Sequence, residues 1–168
     1  MNLSRRTFIF VGVAGAAALV AARWLPRPAP AASALGADGT AVMSAVVPVM
    51  LGDALPTAGE ARDVALRETL AALDGAVAGL APRARNELAD LFALLVLPPA
   101  RWSLAHTTAT WDEATAEDIG AFLARLRDSR IGLLRAAYDA LHQLVMAAWY
   151  GNPRAWPAIG YPGPPVLG

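Results

Sequence analysis

The chain reads as all-α: a small helical bundle with one long C-terminal helix and an irregular Pro/Gly/aromatic tail. Three observations predict this. From Thr40 to Tyr150, apolar residues recur at three- and four-residue spacing, the period of helices with one buried face. Nowhere do apolar and polar residues alternate as they would in a half-buried strand. Pro, Gly and Ser/Thr with a following acidic residue stand where helices should begin and end. The pattern divides the chain into a leader (1–32), a linker (33–39), a helical domain (40–150) and a tail (151–168).

The first helix is expected from Thr40, with Val42, Met43, Val46, Val47, Met50 and Leu51 on its apolar face. Pro48 should kink or split it, because proline lacks the donor and crowds the preceding turn. Thr57-Ala58-Gly59-Glu60 has capping-box spacing and should start a second helix, with Val64, Leu66, Leu70, Leu73, Val77 and Leu80 as its stripe. Pro82 fits the first position of a third helix. That helix uses Leu88, Leu91, Phe92, Leu95 and Val96, and Pro98-Pro99 ends it.

Ala100 to Ala114 is a connector carrying Trp102, His106 and Trp111. Thr115, with Asp118 three residues on, caps the last helix. A stripe through Ile119, Phe122, Leu126, Leu133, Ala137, Leu141, Val145 and Trp149 then predicts one helix from Glu117 to Tyr150. At ~1.5 Å per residue it would span roughly 50 Å, with Gly132 as its weakest point.

Beyond Tyr150 the chain is stiff and aromatic. Gly151 suits a left-handed helix end, Asn152-Pro153 starts a turn, and Tyr161-Pro162-Gly163 fits a type II turn. Trp156, Ile159 and Tyr161 are interleaved with these prolines and glycines. A disordered tail would be polar, so this one is expected to pack: over its own helices with Trp156 buried, or, with Trp149 and Tyr150, against a partner. Trp and Tyr dominate interface hot spots, and prolines lower the entropic cost of docking.

The opening residues carry a different message. Ser4-Arg5-Arg6-Thr7-Phe8 precedes an apolar run from Ile9 to Val20, and small residues follow. Paired arginines before a short, moderately hydrophobic stretch read as a twin-arginine export signal, with Arg5, Arg6 and Phe8 at its centre. The run is shorter than the ~20 apolar residues a spanning helix needs, and Arg23 interrupts it. Cleavage is expected after Ala31 or Ala32; Val20-Ala21-Ala22 is a second site, and an uncleaved anchor is the alternative. Membrane contact is expected only through this leader, and the destination is the periplasm.

Removing the leader's four arginines leaves ten basic against fourteen acidic residues, a net charge of −4. Every basic residue is Arg, which with the heavy alanine content reads as a GC-rich genome. A mildly acidic body argues against nucleic-acid binding, which needs a basic patch. The absence of Cys rules out a disulfide, an iron–sulfur cluster, a covalently attached c-type haem and a lipidated cysteine. Hydrophobic residues make up 56% of the chain, above the usual ~45–50%, and the leader accounts for only part of the excess. The rest suggests apolar surface covered by a partner.

Residues 133–138, His142, Ala148-Trp149-Tyr150-Gly151-Asn152-Pro153 and Trp156-Pro157-Ala158-Ile159-Gly160-Tyr161-Pro162-Gly163-Pro164 resemble the gluconate 2-dehydrogenase subunit 3 type. The leader and this C-terminal stretch carry the match; the middle is similar only as a helical chain with a Val-Val-Pro helix near its start. The resemblance implies an all-α accessory subunit, exported by the twin-arginine machinery with a flavin-dependent oxidoreductase of the glucose–methanol–choline class. It implies that this chain carries no cofactor and that FAD sits in the partner. It transfers no catalytic residues.

Within the residues themselves, chemistry is sparse. His106 and His142 lie on different elements, with no acidic or histidine cluster at ligand spacing. Tyr138 and His142 share a helix face with Arg135 beside them, a strip that could touch a substrate but more often is a wet helix edge or an interface. Arg130 falls near the buried stripe and should need an acidic partner, for which Asp90 and Glu87 are candidates, or a carbonyl cage. Asp112-Glu113 and Glu117-Asp118 read as acidic residues favouring a helix start. No phosphate loop, nucleophile elbow or dinucleotide fingerprint is present.

The expected function is a non-catalytic small subunit or export escort of a periplasmic flavoprotein dehydrogenase. Its partner contacts would come from Tyr138, His142, Trp149, Tyr150, Asn152, Arg154, Trp156 and Tyr161. The rival is a self-contained periplasmic binding module or enzyme, for which a deep pocket lined by His106, Trp111 and His142 is expected.

Overall fold

The computed structural model describes residues 33–102 and 109–163. The leader with Arg5, Arg6 and Phe8, together with His106 and residues 164–168, lies outside the described residues. The described chain is all-α, and no strand occurs among these residues. Five helices make the body: α1 (Gly36–Leu51), α2 (Glu60–Ala78), α3 (Pro82–Val96), α4 (Ala116–Arg127) and α5 (Gly132–Tyr150). None of the described helices is long and apolar enough to cross a membrane.

Helix α1 is the hub and touches each of the other four. Its sequence explains why. Asp38 is its sole charged residue, and Val42, Met43, Val46 and Val47 are fully buried. A helix apolar on several faces can only be satisfied inside. Gly39 lets the ring of Phe92 lie against the α1 backbone; a Cβ there would stand 2.8 Å from that ring. The helix begins four residues before the expected Thr40, so half of the expected linker is helical. It also runs through Pro48, which has no N–H to give the Ser44 carbonyl, and ends one turn later.

Helix α2 starts otherwise than expected. Thr57 makes no cap; Gly59 does, at φ 76°, a conformation glycine adopts without strain. Its buried line is Ala65, Thr69, Leu73 and Val77, with Leu66 and Leu70 only partly covered. The Thr69 hydroxyl is satisfied within the helix by the Ala65 carbonyl at 2.7 Å. Helix α3 opens on Pro82 and buries Leu88, Phe92 and Leu95. At α4 the capping box forms: Thr115 Oγ accepts from the Asp118 N–H, and the Asp118 carboxylate accepts from the Thr115 N–H.

The single C-terminal helix expected from Glu117 to Tyr150 is instead two helices, divided at residues 128–131. Ser129 makes the break. Its hydroxyl accepts the Ile131 N–H at 3.1 Å, which a continuous helix would give to a carbonyl four residues back. The Ser129 carbonyl accepts from Arg135 at 2.7 Å, and Arg127 grips Asp128. The break shifts the helical phase. Leu133, expected in the core, is 72% exposed, and the α5 core face runs through Ala137, Leu141, Val145, Ala148 and Trp149. Arg130 lies exposed in the turn, so it needs no buried acidic partner; Glu87 pairs with Arg83.

Candidate partner surface

The end of α5 and the tail form the most distinctive surface. Gly151 is not left-handed but right-handed helical, at φ −68°. Pro153 stops the helix instead, because it forces Asn152 into extended backbone. The Asn152 carbonyl side-chain oxygen then accepts the Arg154 N–H at 3.0 Å. Two 3-10 turns follow, Pro153–Ala155 and Pro157–Ile159.

The tail is wound around Trp156. The indole N–H donates to the Tyr150 carbonyl at 2.9 Å. The Trp156 carbonyl accepts from the N–H groups of Ile159 and Tyr161. The Tyr161 ring meets the indole edge-on, with centroids 5.2 Å apart, a favourable aromatic geometry. Gly163, at φ 104°, passes so close that a Cβ would come within 3.1 Å of the indole. Trp156 is thus half-buried by its own tail, while Ala155 is the residue inserted into the core.

Glu68 on α2 ties this tail to the body. Its carboxylate takes both Arg154 Nε (3.0 Å) and Nη2 (3.1 Å), and the Asn152 side-chain amide (3.0 Å). These donors, Arg154 first and Asn152 second, hold the Glu68 carboxyl below its usual 4.5. A carboxylate with a depressed pKa stabilises the fold above its ordinary pKa and loses that contribution as pH falls through the lowered value. Hydrogen exchange, corrected for intrinsic rates, is therefore expected to show residues 152–161 protected near neutral pH and loosened in acid. Glu68→Gln should be looser than wild type at every pH above that range, and equal protection in the two proteins would refute the clamp.

The sequence-predicted contact residues separate into four groups. Trp149 is 4% exposed and belongs to the core, so its ring is not available to a partner. Asn152 and Arg154 are engaged with Glu68. Tyr150 and Tyr161 remain 42% and 44% exposed, and Ile159, not among the expected contacts, is 54% exposed. Ile159 and Tyr161 are held on the tail around Trp156, and Tyr150 closes α5 with its carbonyl bonded to the indole. Tyr138 and His142 lie elsewhere on α5, half-buried and stacked with centroids 5.8 Å apart.

Trp111, expected at a pocket in the rival reading, is core. Its indole N–H donates to the Leu95 carbonyl at 3.1 Å and its ring meets Phe122 edge-on at 5.2 Å. A shallow cleft of about 520 Å³ between α2 and α5 is lined by Ala72, Ala76, Ala147, Ala148, Gly151, Asn152 and Pro153, none of them titratable. Among the described residues no three His, Asp or Glu side chains gather as metal ligands would. Comparison with protein-family models, curated proteins and solved structures returned no match.

Glu68 and Ile159 escaped sequence reading for different reasons. Glu68 meets partners 84 and 86 residues away, which no local spacing encodes. Ile159 had a signal, an aliphatic residue in a Pro/Gly-rich run, but looked like tail packing.

Proposed function

We propose that the protein is the non-catalytic small subunit, or export escort, of a periplasmic flavin-dependent dehydrogenase. The observation that carries the reading is the tail: Ile159 and Tyr161 exposed on a segment stiffened by prolines and pinned by Glu68, beside Tyr150 at the end of α5. Apolar groups presented on a rigid support bind with little ordering cost. The twin-arginine leader and the C-terminal resemblance to gluconate 2-dehydrogenase subunit 3 proteins supply the class of partner. In this reading the flavin belongs to the partner, and the escort lends its leader to a partner that has folded around its cofactor.

The tagged full chain, expressed in its native host and recovered from the periplasm, is expected to bring down a protein with flavin absorbance. Ile159→Asp places a charge on the exposed face without touching Trp156, and should reduce recovery at least tenfold, about 1.4 kcal/mol. Recovery of the chain with no flavoprotein would sink the reading.

A further inference from the structure

The first described residues run directly into a contact with a distant helix. Ser33 Oγ donates to Asp74 Oδ1 at 2.6 Å, and the Leu35 N–H donates to the same oxygen at 2.9 Å, across 41 and 39 residues of sequence. The Ala34 backbone also bonds to this carboxylate. Leu35 is then buried at the foot of α1. Hydrogen bonds from Ser33, Leu35 and Ala34, in that order of weight, hold the Asp74 carboxyl below its usual range. Asp74 is therefore an ionised carboxylate satisfied by neutral donors.

The leader is expected to end at Ala31 or Ala32, beside the serine whose hydroxyl donates to Asp74. We propose that the leader is cut at the Ala32–Ser33 bond and that Asp74 receives the new terminus, the Ser33 α-ammonium becoming its counter-ion. Hydrolysis by a leader peptidase breaks that amide; water supplies the oxygen of the Ala32 carboxylate and two protons to the Ser33 nitrogen. Within one serine the nitrogen and Oγ lie about 3–4 Å apart, so an ammonium on Ser33 stands within about 6 Å of the carboxylate its hydroxyl touches, a range at which opposite charges favour one another. A terminus on Ala32 would stand about 3.8 Å further along the chain. Export processing would thus finish the seam between α1 and α2.

The inference rests on the leader reading within the proposed function, and its test separates the two. Uncut chain and periplasmic product are purified as wild type and as Asp74→Asn, and intact mass gives each N-terminus. The product is expected to begin at Ser33 and to melt about 2–4 °C above the uncut chain, a difference absent in Asp74→Asn. Should Asp74→Asn fail to fold, acetylation of the wild-type product serves instead. The chain has no lysine, so an amine reagent neutralises the α-amine alone, and the gain in melting temperature should vanish. A product beginning at Arg23 or elsewhere, an intact leader, or a gain that survives the loss of either charge would overturn the inference. Each of those outcomes leaves flavoprotein capture untouched, and failure of capture with a product starting at Ser33 does the reverse.

Discussion

Val46→Asp is expected to abolish the cooperative thermal transition followed by far-ultraviolet circular dichroism. Val46 is fully buried on α1, the helix that all the others touch. A carboxylate there would lie within the cluster of buried apolar side chains, and the penalty of an unpaired buried charge is several kcal/mol even when the group protonates. A domain of this size holds only about 5–15 kcal/mol in total. Val46→Ala separates charge from volume. It removes two methyl groups, costs about 2 kcal/mol, and should leave a folded chain with a lower midpoint. A Val46→Asp protein melting like wild type would mean that α1 is not the centre of the fold.

The second large effect is expected at Trp111. The segment beyond residues 103–108 is held to the body by this side chain, which fills space against Phe122 and donates to the Leu95 carbonyl near the end of α3. Trp111→Ala removes both and should cost about 3–5 kcal/mol, a fall of more than about 10 °C in melting temperature. Trp111→Phe keeps most of the packing and leaves the carbonyl unmet, at about 1–3 kcal/mol. The ordering of wild type, Phe and Ala is the informative result. If Phe and Ala melted alike, the hydrogen bond would outweigh the ring, contrary to the packing seen here.

What sequence could reveal depended on the range of the interaction. Pro82 at the start of α3 and the Thr115–Asp118 capping box are local devices, and both stand where spacing put them. The break between α4 and α5 is local as well, but its cause was hidden by a stripe that kept nearly the right period across the gap. Leu133 fitted that period and still points to solvent, because Ser129 resets the phase. Gly59 took the cap from Thr57, at a positive φ that glycine adopts without strain. At the candidate surface, the aromatic character of the tail was legible; the division of labour within it was not. Trp149 and Trp156 look alike in sequence, yet one is core and the other is the post around which the tail winds. Glu68 and Asp74, the two carboxylates that fasten the tail and the head of the body, make their contacts across dozens of residues.

The position of α1 also sets a timetable for synthesis. The helix that organises the core is made first, and the last helix that packs on it ends at Tyr150, about a hundred residues later. At ~5–20 residues per second, α1 waits on the order of 5–20 s as an uncovered apolar segment on the nascent chain. The core therefore closes only near the end of translation, and until then ribosome-bound chaperones have a natural substrate in residues 36–51.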